Sequence, residues 1–199
     1  MSNTLDNNRP NDRHENDSQR SVDRPSAIDA DAEPPSSQPP SAADVSTIQV
    51  EVAIDSQLTS DVDVAAITRA VQAAAAHRGY SQGELGVRVT DDPTIHQINA
   101  KHLNHHYATD VISFGYSDTR PVIEGEMVVS IDTAQSRADE IGWSAEHELL
   151  LYVVHGTLHI AGMDDHDEAD RSEMRAAEKI VMTQLGIAEI HRFSVEAQS

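Results

Sequence analysis

The chain changes character at residue 46, and that change limits how much of it can build a core. Residues 1–46 are rich in Ser, Asp, Asn and Pro and hold six of the eight prolines. No apolar period of 2 or 3.6 runs through them. Such a stretch buries too little apolar surface to offset its conformational entropy, so it is expected to be a disordered acidic tail. From Thr47 to about residue 190 apolar residues recur regularly, as one domain of ordinary size requires. Residues 191–199 are expected to form a short C-terminal tail. An apolar fraction of 38% over 199 residues agrees with a chain that is only partly folded.

Charge and composition exclude several classes. The chain carries 34 acids against 14 Lys and Arg, a net of −20. The tail accounts for nine acids and four arginines, a net of −5, which leaves −15 on the remainder. A field of that sign opposes a broad electrostatic grip on nucleic acid, and DNA is not expected as a partner. The absence of cysteine rules out a disulfide scaffold, a thiolate nucleophile and a Cys-based zinc site. No apolar run approaches the length of a membrane span, and the N-terminus lacks the apolar segment of a secretory signal. A cytoplasmic protein is the expectation.

The elements alternate. Thr47–Ile54, Leu85–Thr90, Asp110–Tyr116 and Glu126–Asp132 read as strands. Helices are expected over Val62–His77, from Asp92 to about Leu103, over Thr133–Ile141, from a Ser144 cap through Ala161, and from Asp167 or Asp170 to about Leu185. This order predicts an α/β (α+β) fold: a small mixed four-stranded sheet with about five helices.

The chemistry concentrates in Val154–His166, VHGTLHIAGMDDH. His155 and His159 are one helical turn apart, so both imidazoles lie on one face, about 6 Å apart, and suit one metal ion. Gly162 breaks the helix as a left-handed residue, and Asp164, Asp165 and His166 follow at once, within reach of the same ion. Three protein ligands with an open fourth position mark a catalytic metal site, here on a helix and the turn after it. Zinc suits such ligands, and nickel or cobalt would also accept them. Peptide-cleaving H-E-x-x-H enzymes carry their Glu base directly after the first His, where this chain has Gly156.

The segment His155-Gly-Thr-Leu-His159-Ile-Ala-Gly162-Met163-Asp164 resembles the H-G-x-L-H-L-x-G-Y-D-H signature of the YbeY family of bacterial rRNA-processing endoribonucleases. Thr109-Asp-Val-Ile-Ser-Phe114 is similar to that family's T-D-V-L-S-F strand, Gly125-Glu-Met-Val-Val-Ser130 to its G-D-I-x-I-S strand, and Ile98-Asn99 to its Leu-Asn pair. The resemblance spans about residues 47–190. It implies a metal-dependent, single-strand-specific endoribonuclease acting in rRNA processing, at the 3′ end of small-subunit rRNA, and in ribosome biogenesis. It implies one zinc ion, with rRNA and the small ribosomal subunit or its proteins as partners.

Three departures from the signature set the remaining expectations. The family's third histidine slot is Asp165, with His166 one residue later, so His155, His159 and His166 are the expected ligands and Asp165 the alternate third. Asp164 and Asp165 are candidate catalytic carboxylates or partners of a ligand imidazole. An arginine held to bind phosphate in many relatives is replaced by Leu103. Lys101 is the candidate substitute, beside a cluster of His102, His105 and His106. Met163 stands where the family has Tyr. Two other readings stay open: a noncatalytic ribosome-assembly factor with a structural metal, and a metallohydrolase of a non-RNA substrate using Asp164 or Glu148 as base.

Overall fold

The computed structural model describes residues 47–103, 109–117 and 119–190. The expected tails, 1–46 and 191–199, lie outside the described residues, as do His105 and His106. Strands β1 (Thr47–Ile54), β2 (Gln82–Thr90), β3 (Val111–Ser117) and β4 (Val122–Ser130) form one sheet in the order β1-β2-β4-β3. β1, β2 and β4 run parallel, and β3 is antiparallel to β4 at one edge, so the sheet is mixed as expected. Helices α1 (Val64–His77), α2 (Asp92–Leu103), α3 (Ile131–Ile141), α4 (Ala145–Ile160) and α5 (Glu168–Gln184) complete the fold. Among the described residues no helix is long and apolar enough to cross a membrane.

Alternation along the strands assigns the two faces of the sheet. Leu85, Val87 and Val89 of β2 and Met127 and Val129 of β4 point into the main core, which α1, α4 and α5 close. Val128 and Ile112 point the other way and meet Ile95 of α2 in a smaller cluster. α1 offers an Ala-rich stripe, Ala66, Ala70, Ala74 and Ala75, with Ile67 and Val71. Its Asp63 cap accepts from the Ala66 amide at 2.9 Å, so the helix begins two residues later than its apolar pattern suggests.

β4 is displaced from its expected bounds. It starts at Val122, because parallel pairing with β2 extends down to Gln82↔Val122. It stops at Ser130, whose hydroxyl accepts from the Thr133 amide at 3.2 Å and donates to Asp92. Ser130 is therefore the cap of α3, and Ile131 and Asp132 belong to the helix.

α4 reaches the sheet through missing side chains. Gly115 of β3 pairs with Gly125 of β4, and Ile160 sits over them. A Cβ on Gly125 would stand 2.6 Å from the Phe114 carbonyl oxygen and 2.8 Å from Ile160 Cγ2. One turn earlier, a Cβ on Gly156 would meet Val111 Cγ2 at 2.9 Å and Met127 Sδ at 3.2 Å. The position where a peptidase carries its base is thus buried against the sheet. Gly125→Ala is expected to destabilise the protein by about 2–3 kcal/mol, because a paired strand's carbonyl cannot yield, and denaturant unfolding will measure it.

Candidate metal centre

α4 ends in a Schellman motif, and the motif builds the site. The Met163 amide donates to Leu158 O at 3.0 Å and the Gly162 amide to His159 O at 2.9 Å. Gly162 takes φ +82°, the left-handed turn expected of it. Met163 packs against the core, the apolar contact such a cap requires, which suits Met in place of Tyr. The turned chain brings Asp165 back over the last turn of α4.

His155 and His159 stand ring edge to ring face, with centroids 4.4 Å apart and planes at 87°. Each ring is tied from outside by Nδ1. His159 Nδ1 lies 3.0 Å from the Met163 carbonyl oxygen, and His155 Nδ1 lies 2.6 Å from Glu178 Oε1 on α5. Both partners accept, so both Nδ1 atoms carry hydrogen and both Nε2 atoms present lone pairs. Those Nε2 atoms face each other at 2.9 Å. The Asp165 carboxylate stands opposite, 3.7 Å from His155 Nε2 and 3.8 Å from His159 Nε2.

Three acceptors converging without a donor among them require a positive charge in their midst. The donor set, two imidazoles and a carboxylate, fits a divalent transition metal, and His155, His159 and Asp165 can hold one. Without a metal, a proton serves. Burial disfavours a charge on His155, but the hydrogen bond and charge of Glu178, joined by Asp110 and Asp165, outweigh it and raise its pKa. Burial and the neighbouring His155 lower that of His159.

The expected residues fall into two groups. His155, His159 and Asp165, the alternate third ligand, come together. His166, expected as the third ligand, does not join them: its ring is 85% exposed and pairs with the Asp164 carboxylate. That pairing raises the pKa of His166. Asp164 also accepts from the Asp165 amide at 2.7 Å, so it braces the turn rather than either ligand imidazole. Among the described contacts none links Lys101, exposed near the end of α2, to the histidine pair. Glu148 is fully buried on α4, two turns before His155. Arg88 pairs with Asp55, Arg69 with Asp63, and Arg120 donates to Arg78 O.

Two site residues escaped sequence reasoning, both on α5. Glu178 holds His155, and Arg171 donates to Asp165 O at 3.3 Å and His166 O at 2.7 Å, fastening the turn. Glu178 did leave a signal. It occupies the apolar stripe Met174, Ala177, Val181 and Met182, where an acid needs a reason to be buried.

Fold and site together define a mixed α/β domain with a histidine–carboxylate cluster at a helix end that could hold a metal ion. The profile of the family "Endoribonuclease YbeY" matches residues 47–186. An endoribonuclease YbeY of Rhodopirellula baltica is 50% identical over 123 residues, 61% of this chain and 63% of that protein, just under two thirds of its length. One from Pelotomaculum thermopropionicum is 33% identical over 151 residues, 72% of this chain and 96% of the relative. A solution structure from Thermotoga maritima aligns at 18% identity with a TM-score of 0.48, over 69% of this chain and 91% of that one. The chain belongs to the Endoribonuclease YbeY family.

Gly162→Ala places a Cβ in the left-handed turn. It is expected to cost about 1–2 kcal/mol and to weaken metal binding together with stability, read by thermal unfolding and by titration with zinc.

Proposed function

We propose that this protein is a metal-dependent endoribonuclease that cleaves single-stranded rRNA ends during ribosome maturation, with one zinc ion held by His155, His159 and Asp165. The observation that carries the reading is the convergence of two Nε2 lone pairs and a carboxylate, each oriented from outside. Asp165 is preferred to His166 because its oxygens already face both imidazoles and it stands ten residues after His155, the spacing of the family's third ligand.

A bound divalent ion supplies Lewis acidity, drawing charge from a phosphoryl oxygen and acidifying a water. The protein's own part is positional. Glu178 and the Met163 carbonyl keep the His155 and His159 lone pairs aimed inward. Asp164, engaged with the Asp165 amide and the His166 ring, holds the turn and is not assigned as the base. The three ligand side chains remain 21–39% exposed, which leaves a phosphodiester a way in. Gly156 cannot hold a peptidase base where it is packed, which disfavours amide hydrolysis. The net acidity of the domain opposes RNA at a distance, so a ribosomal partner supplying basic surface is part of the reading.

The test uses the zinc-loaded full chain on a single-stranded rRNA 3′ end. His155→Ala, His159→Ala and Asp165→Asn are expected to lose bound zinc and at least about 100-fold in cleavage, since Lewis-acid stabilisation amounts to several kcal/mol. His166→Ala is expected to keep its zinc. Full cleavage by metal-free protein or by His155→Ala would overturn the proposal, and zinc loss in His166→Ala would return the third ligand to His166. A zinc-loaded protein that binds ribosomal subunits and cleaves nothing would leave the assembly-factor reading.

Zinc affinity should also depend on pH. Because Glu178 and the nearby acids raise the pKa of His155, a proton competes with the ion there, and affinity falls as pH drops through that raised value. Zinc titrations across the neutral range will measure this.

A further inference from the structure

We propose that Glu178 is a positioning residue of the metal centre: it fixes the tautomer and ring orientation of His155 and so sets how tightly the ion is held. This rests on the metal-site reading above.

The argument begins with where the carboxylate lies. Glu178 is 6% exposed, in an α5 stripe whose other members, Met174, Ala177, Val181 and Met182, are apolar. Leucine would suit that position better for packing alone, since burying an anion is costly unless a cation or strong donor answers it. Among the described residues its hydrogen-bond partner is His155 Nδ1, at 2.6 Å, and such a bond raises the basicity of the far nitrogen. Position 178 is thus occupied by a group that serves the ring and not the core.

Ring geometry gives the acid its function. Rotation of His155 by half a turn about its Cβ–Cγ bond would carry Nδ1 away from Glu178 and Nε2 away from His159. The hydrogen bond holds the one orientation in which both nitrogens are used. It also keeps the proton on Nδ1, leaving Nε2 free to ligate. His159 reaches the same state through a neutral carbonyl, so His155 is the ligand with an anion behind it.

Helix packing makes this an α5 function. Arg171 and Glu178 are seven residues apart, two turns along one face of α5, and hold different parts of the site. Arg171 holds the carbonyls of the turn bearing Asp165, while Glu178 holds His155.

The test is zinc affinity of the full chain, read by competition with a chelator, beside the thermal stability of the metal-free protein. Glu178→Leu is expected to fold, with any stability change read separately on the metal-free protein, and to bind zinc about 10–100-fold more weakly. Glu178→Gln, whose amide oxygen still accepts from Nδ1–H, is expected to recover most of that loss. Imidazole nitrogen NMR of metal-free protein above the His155 pKa should report the Nδ1–H tautomer for wild type and Gln, and a mixture for Leu. Wild-type zinc affinity in Glu178→Leu would overturn the proposal. Should that variant not fold, Glu178→Asp, whose carboxylate falls one methylene short, replaces it: weakened affinity supports the proposal and unchanged affinity overturns it. His155→Ala separates the two readings. Zinc loss there with none in Glu178→Leu defeats only the role of Glu178, while tight zinc binding by His155→Ala defeats the metal site itself.

Discussion

Ile160 rests on a pair of facing glycines, and the position of the histidine-bearing end of α4 follows from that contact. Gly125 cannot carry a side chain without striking both the Phe114 carbonyl and Ile160, so the helix sits closer to the sheet than a pair of larger residues would permit. Gly156 repeats the arrangement one turn earlier against Val111 and Met127. With one face of α4 pressed down in this way, His155 and His159 lie where α5 and the following turn can reach them. Interiors of this density transmit small displacements, so a methyl group at residue 125 is felt at the site.

The cap of α4 has two uses. Met163 closes the helix with its amide and orients His159 with its carbonyl. A device that any helix needs at its end therefore also fixes a ligand. Asp164 and Arg171 extend the same economy to the turn: one braces the Asp165 amide, the other the carbonyls of residues 165 and 166. Asp165 is directed inward by these bonds, and the His166 ring is left outside with Asp164.

Charge gives the centre its character. In the proposed reading, Asp165 in the third ligand position adds a negative charge to the ligand set, and Glu178 adds another behind it. In that reading a divalent ion would offset these two charges in a domain that is strongly acidic. Among the described residues Arg69 and Arg88 face carboxylates and Arg120 a backbone carbonyl, so these three add little free positive charge to the domain.

Periodicity in the sequence determined the number and order of strands and helices, the Gly162 stop, the Ser144 cap and the stacking of His155 on His159, because each depends on neighbours within a few residues. Strand pairing moved β4 to Val122–Ser130, since a long-range parallel register, not local pattern, decides where a strand begins. The choice between Asp165 and His166 was not legible either: both follow the same turn, and only its hydrogen bonds direct one side chain in and the other out. Glu178 lies 23 residues beyond His155, on another helix, and the sequence offered only an acid on an apolar stripe. Local chemistry thus determined which residues were able to bind a metal. Tertiary structure decided how they are held, because Glu178 behind His155 and Arg171 on the turn of Asp165 both come from α5, which packs beside α4.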